Sequence, residues 1–272
     1  MTTVVRVPQW QGAATERARL LPDGSGLLAR AVPGGRIVPV RVPDGAGTAR
    51  DGVRALDVLI EVAGGVRAAL AGAGSPTVVT GGDCGVELEP VAAASARYGD
   101  ALAVVWFDAH GDLNTPEGSP SGAFHGMVLR TLLGEGPAEL VPSRPLRPGQ
   151  VVLAGVRALD PDERAFISAN GIARVAVPDI DGLVETVAAT GASAVYVHVD
   201  LDVLDPGSFR SLNCPEPGGL APEALAVAVR ALTGRFVIAG LGVTEYAPVA
   251  PRDRETVDAL VAAFTDPLVA SG

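Results

Sequence analysis

Short, continuously apolar runs alternate with helix-period segments along this 272-residue chain, and no other feature constrains its fold as strongly. Strand candidates fall at 4–7, 37–40, 77–80, 102–107, 151–154, 173–177, 194–199 and 236–239. Between them, Val53, Leu56, Leu59, Ile60, Ala63 and Leu70 lie mostly three or four residues apart, as one face of a helix requires. Segments 222–232 and 252–264 follow the same period. Strands that are apolar on both faces and separated by helices belong in a parallel sheet covered on both sides. The expectation is an α/β fold, a three-layer αβα sandwich around a mostly parallel central sheet. No internal repeat or long polar linker interrupts the pattern, so residues 1–272 read as a single domain.

The formal net charge of −10 would repel phosphate backbones, which excludes nucleic acid and is compatible with a cationic small molecule. Two cysteines, Cys84 and Cys214, are too few for a disulfide framework, so a reducing, cytoplasmic setting is expected. The first fourteen residues lack the pattern of a signal peptide. No apolar run approaches membrane-spanning length, so no membrane association is expected.

Chemistry concentrates where strands end. Asp108-Ala109-His110-Gly111-Asp112 follows the strand at 102–107, and Asp200-Leu201-Asp202 closes the strand at 194–199 before Asp205-Pro206 breaks it. If the first segment stays extended, Asp108, His110 and Asp112 project to one side, because side chains alternate with period two. The strand at 77–80 leads into Gly81-Gly82-Asp83-Cys84. Ligands of open parallel sheets gather beyond the carboxyl ends of the strands. Carboxylates crowded there repel one another unless a cation neutralises them. Four Asp side chains and one His suit Mn²⁺, with Zn²⁺, Co²⁺ and Fe²⁺ as competitors. Shared carboxylates favour two adjacent ions, which can activate one water as a nucleophile.

These motifs, together with Val203-Leu204-Asp205-Pro206 and Gly242-Val243-Thr244-Glu245, occur in the order found in the arginase/agmatinase (ureohydrolase) family, which the chain resembles from residue 81 to residue 245. The resemblance implies an arginase-like three-layer fold, a dinuclear manganese site and often a homotrimer or homohexamer. It implies that Asp108 and Asp200 bridge the ions, that His110 and Asp202 complete one, and that Asp112 and Cys84 complete the other. The family places His where this chain has Cys84. A thiol is a softer ligand than Mn²⁺ prefers, so one of the two ions is expected to bind weakly or not at all. Three readings of Cys84 stay open: a working thiolate ligand, a near-neutral small buried residue, or an engineered replacement.

Asn114-Thr115-Pro116, Ser119, Ser121-Gly122 and His125-Gly126 resemble the arginase branch, in which Asn114, Ser119 and Ser121 would contact a substrate α-carboxylate. Ala123 departs from the Asn of that pattern. Asp160-Pro161-Asp162-Glu163 resembles the segment that binds the α-amino group through Asp160, with Glu163 in support. The same four residues also spell a helix start, and both roles can coexist. Glu245 matches the carboxylate that anchors the guanidino group. His125 is a candidate proton shuttle, and Asp112 would hold and receive the proton of the attacking water. His198, two residues before Asp200, reads as packed against the site rather than as a ligand; Cys214 receives no chemistry.

The resemblance thus implies a metal-dependent amidinohydrolase acting on an L-arginine-like amino acid. Cys84 resembles the Cys of ureohydrolases that act on Nω-hydroxy-L-arginine, so the resemblance favours that substrate, cleaved to L-ornithine and hydroxyurea. N-hydroxylation lowers the basicity of the guanidino group, which suits a site with an impaired second metal. The alternatives are a true arginase, an agmatinase-like hydrolase, and a non-catalytic homologue with a decayed metal site.

Overall fold

The structure is a computed structural model and describes residues 2–74, 76–176 and 179–270. In chain order its elements are β1 (Thr3–Val7), α1 (Leu21–Ala31), β2 (Arg36–Pro39), α2 (Leu56–Ala71), β3 (Thr77–Gly81), α3 (Leu88–Tyr98), β4 (Leu102–Phe107) and α4 (Val128–Leu132). There follow β5 (Val151–Ala154), α5 (Pro161–Asn170), β6 (Ala173–Val175), α6 (Ile180–Ala189), β7 (Ala194–Asp200), α7 (Pro222–Arg235), β8 (Val237–Thr244) and α8 (Asp253–Ala270). Short 3-10 turns join several of them.

The strands form one sheet in the order β2-β1-β3-β8-β7-β4-β5-β6, and among the described residues every pairing is parallel. Alternation sorts each strand between two cores. Along β4, Ala103, Val105 and Phe107 pack with residues of α1, α6, α7 and α8. Leu102, Val104 and Trp106 pack with residues of α2, α3, α4 and α5. The expected αβα sandwich is present. Among the described residues, no helix is long and apolar enough to cross a membrane.

The sheet order does the positioning. It sets β3, β8, β7 and β4 side by side, although these strands lie far apart in sequence. Register then levels their ends: Phe107 pairs with Val199, Asp200 with Thr244 and Thr80 with Val243. The residues that follow these four strands therefore meet at one edge of the sheet.

Three boundaries differ from expectation. Residues 236–239 mark only the start of β8, which continues to Thr244. Its Gly240 and Gly242 look like turn residues in sequence, but both are sites of close approach. A Cβ on Gly240 would lie 2.6 Å from the Tyr196 ring, and one on Gly242 would lie 2.0 Å from the Glu87 carboxylate. The strand at 173–177 is observed as β6, and Val177 lies outside the described residues. Helix α2 begins at Leu56 rather than Val53, because Val53 pairs with Arg50 in an isolated bridge and Ala55 adopts φ 52°.

Candidate metal centre and substrate cavity

Beyond Phe107 the chain leaves the sheet instead of continuing extended, and Asp112 takes a left-handed φ of 52°. Asp108, His110 and Asp112 thus converge through a turn, not through strand alternation. The turn is fastened to its neighbours. Ala109 N donates to Asp202 Oδ1 (3.0 Å), His110 N to Asp108 Oδ1 (2.6 Å) and Asp202 N to Asp200 Oδ1 (2.7 Å). His110 Nδ1 lies 3.0 Å from Asp202 Oδ2 and 3.4 Å from Asp108 Oδ1. Trp106 Nε1 donates to Asp108 Oδ2 at 3.1 Å.

Cys84, on a 3-10 turn after β3, is buried with its thiol 3.1 Å from Asp200 Oδ2 and 3.2 Å from Thr244 Oγ1. Its neighbour Asp83 has a different task. Asp83 accepts from Gln9 Nε2, Gly12 N and Gly85 N, each at 2.9 Å, and pins the first loop beneath the site. Glu245, at φ 63°, is enclosed. Its Oε1 accepts from Cys84 N (2.9 Å) and meets His125 Nδ1 (3.1 Å), while Asn213 Nδ2 donates to Oε2 (2.6 Å). His198 is fully buried, with its ring stacked on Trp106 at 3.6 Å.

Protonation reflects this crowding. Burial and the charges of Asp202 and Asp108 push the Asp200 carboxyl well above its usual range. Burial and Asp108 do the same to Asp112. Asp202 rises to about 6 through burial and Asp108, although His110 opposes the rise. Burial, then Asp200, holds the Cys84 thiol protonated. Burial would raise Asp108 as well, but the hydrogen bond and charge of His110 keep it low. Without cations the cluster stores protons, and divalent ions can take their place.

The donors fit such ions. Asp112 Oδ2 is buried without a hydrogen-bond partner among the described residues. Asp108, His110 and Asp202 form one group able to hold a metal, Cys84, Asp108, Asp112 and His198 a second, and Cys84, Asp200 and Glu245 a third. The groups share Asp108 and Cys84, which suits two neighbouring ions better than one.

A cavity of about 400 Å³ opens over His110, Asp112, Asp200 and Asp202. Asn114, Ser119, Ser121, His125, Asp160 and Glu163 all line it, whereas Glu245, expected to anchor the guanidino group, is buried behind His125 and is not part of the lining. Glu163 ties two walls together: Oε1 accepts from Leu113 N (2.9 Å) and Oε2 from Asp160 N (2.8 Å) at the start of α5. The helix-start reading of Asp160 to Glu163 therefore coexists with a place in the cavity wall. Asn114 donates to Asp160 Oδ2 at 3.0 Å, and its Oδ1 is buried without a partner among the described residues. Ser119 and Ser121 sit at the rim with their hydroxyls 3.5 Å apart.

Asn213, Glu87 and the pinning role of Asp83 were not legible in the sequence. Asn213 lies 32 residues from the carboxylate it holds, and no motif marks the pair. Cys214, given no role from sequence, lines the cavity.

A sequence model of the arginase family matches residues 39–268. An arginase of Staphylococcus aureus strain COL is 36% identical over 195 residues, covering 68% of this chain and 64% of that protein, just under two thirds of its length. An N(omega)-hydroxy-L-arginine amidinohydrolase of Streptomyces lavendulae is 33% identical over 190 residues, covering 70% of this chain and 67% of that protein. The native structure of the arginase from Bacillus caldovelox superposes with a TM-score of 0.83 at 27% identity, covering 98% of this chain and 97% of that one. Motifs, sheet order and these similarities agree: the chain belongs to the arginase family.

Proposed function

We propose that the protein is a metal-dependent amidinohydrolase that cleaves the guanidino group of an L-arginine-like amino acid, with Nω-hydroxy-L-arginine preferred. The observation that carries this reading is the opening of the metal-capable groups onto a single cavity walled by Asn114, Ser119, Ser121 and Asp160. Its volume of about 400 Å³ lies in the usual range for small-molecule sites.

Two divalent ions, Mn²⁺ by family resemblance, would be held by Asp108, His110, Asp112, Asp200, Asp202 and Cys84. When bound, they supply Lewis acidity and a nucleophilic water at neutral pH. The chain's own residues do the rest. Asp160 and the unpartnered Asn114 Oδ1 form an acceptor pair for the α-ammonium, and the Ser119 and Ser121 hydroxyls donate to the α-carboxylate. The second Asn114 amide hydrogen, beside the one given to Asp160, can still serve the expected α-carboxylate contact. Asp112 takes the proton of the attacking water. His125 returns a proton to the departing amine. Burial alone would lower its pKa, but the hydrogen bond and charge of Glu245 raise it, which favours the protonated imidazole that a proton donor needs.

Glu245 orients the carbon that is attacked. Cys84 N and His125 occupy Oε1 and Asn213 occupies Oε2, which limits the bidentate fork that a fully charged guanidinium favours. That arrangement, with the thiol of Cys84, favours the less basic hydroxyguanidine. L-Arginine is the second reading, supported by the Staphylococcus relative named arginase. Turnover of L-arginine, Nω-hydroxy-L-arginine and agmatine by protein loaded with Mn²⁺, and in parallel with Zn²⁺ or Co²⁺, tests both. Preference for plain arginine removes the hydroxyarginine assignment, preference for agmatine removes the α-carboxylate contacts, and no turnover of any removes the enzyme reading.

A further inference from the structure

Behind Cys84 lies a buried group that the mechanism does not use. His198 points Nε2 at Cys84 Sγ, 3.6 Å away, and Nδ1 at Glu87 Oε2, 3.5 Å away. Glu87 is fully buried and receives the Tyr196 hydroxyl at 2.9 Å. His198 Nδ1 and Glu87 Oε1 lack hydrogen-bond partners among the described residues.

We propose that His198 is a metal ligand which, with Cys84, turns one ion position into a mixed thiolate, imidazole and carboxylate site suited to Zn²⁺ or Co²⁺ rather than Mn²⁺. The assignment rests on the metal-centre reading above and revises the expectation that His198 is only packed.

Three observations carry it. First, a tetrahedral ion with bonds of ~2.0 Å to nitrogen and ~2.3 Å to sulfur separates those two ligands by about 3.5 Å. The observed 3.6 Å matches, and Asp108 and Asp112 complete a four-donor set within 4.8 Å. Second, a ligating imidazole typically presents its other nitrogen to a carboxylate, which fixes its tautomer and raises its basicity. Glu87 stands 3.5 Å from Nδ1, on the side where that carboxylate is needed, and also accepts the Tyr196 hydroxyl. The chain makes room for it with Gly242, where a Cβ would collide with the carboxylate at 2.0 Å. Third, the ring plane is preset. His198 stacks on Trp106 with 23° between planes, and the same indole donates to Asp108, a member of the donor set.

Softness then decides the ion. Thiolate with imidazole draws Zn²⁺ and Co²⁺, whereas Mn²⁺ prefers oxygen. Cys84 loses its proton on binding, as any ligating thiol does. The site is accordingly complete with its Cys, and His198 supplies the imidazole that position 84 lacks.

X-ray absorption on the chelator-stripped wild-type chain, reloaded with one equivalent of Zn²⁺, tests this directly. One sulfur at about 2.3 Å together with one imidazole is expected. Sulfur without imidazole overturns the role of His198. Imidazole without sulfur puts the ion at His110 and overturns the preference for this position. Failure to retain any ion sinks the metal-centre reading itself. Titration with Co²⁺ provides a second readout in the thiolate-to-cobalt absorption band. Glu87→Gln should weaken the sulfur-bearing position by about 10–100-fold, and His198→Asn should weaken it further. Unchanged affinity and an unchanged band in His198→Asn would overturn the proposal.

Discussion

Asn213 holds Glu245 by a 2.6 Å hydrogen bond to Oε2, from a loop 32 residues earlier in the chain. With Cys84 N and His125 on the other oxygen, the carboxylate has one orientation. A hydrogen bond to a buried charged group contributes about 1.5–3 kcal/mol, so its loss should be felt in substrate binding. Asn213→Ala should lower kcat/KM for the guanidino substrate by about 10–100-fold, on the same range of energies, with most of the change in KM. An unaltered KM would show that Glu245 needs no such tether. Steady-state kinetics with equal metal loading in both proteins decides the matter.

Asp112 faces the opposite way from a stabilising residue. Its Oδ2 is buried without a partner, and burial with the charge of Asp108 raises its carboxyl. Asp112→Asn removes that repulsion at nearly constant volume. In chelator-treated protein it should raise stability by about 1 kcal/mol, the size common when a strained functional site is relaxed. The same change should abolish turnover and reduce bound metal. Denaturant melts beside metal analysis check both halves, and a destabilised metal-free variant would contradict the reading of Asp112 as a frustrated ligand.

The metal-free protein should lose stability as pH rises from 5 to 8. Asp202 and Asp83 carry folded-state values of about 6 and about 7, above the ordinary 3.8, chiefly because of burial. In this range the folded chain binds more protons than the unfolded one. The stability these groups contribute is complete below 3.8 and is lost as pH climbs through 6 and 7. The Tm of chelator-treated protein should therefore fall across that window. Metal ions that replace the protons should reverse the trend. A rising Tm in the stripped protein would mean that the cluster is ionised without cations.

Much of this site was legible in sequence because its donors sit directly after strands, where the pattern of apolar runs locates them. Asp108, His110, Asp112, Asp200 and Asp202 came from that rule. Their approach did not, since Asp112 reaches the cluster through a left-handed turn that period-two alternation does not describe. Asp83 and Cys84 are neighbours of similar appearance in sequence, yet one pins a loop by three hydrogen bonds and the other faces Asp200. What separates them is backbone from elsewhere, which no local pattern encodes. Strand β8 runs beyond the expected 236–239 because its glycines leave room for side chains that lie on other elements, which the local pattern does not show.

Gly242 offers the sharpest test of that last point. A Cβ there would sit 2.0 to 2.2 Å from the Glu87 carboxylate atoms, far inside contact distance. Glu87 has little freedom to retreat, being fully buried between the Tyr196 hydroxyl and His198. Overpacking of this kind costs about 1–3 kcal/mol, and Gly242→Ala should destabilise by that amount. Glu87→Ala should destabilise as well, because it leaves the Tyr196 hydroxyl unpaired. The double variant should be more stable than the two single effects predict, since removing the carboxylate removes the clash. A coupling of about 0.5–3 kcal/mol is the size contacting residues show, and denaturant unfolding of the four proteins measures it. Additive effects would mean that Gly242 is required by something other than Glu87.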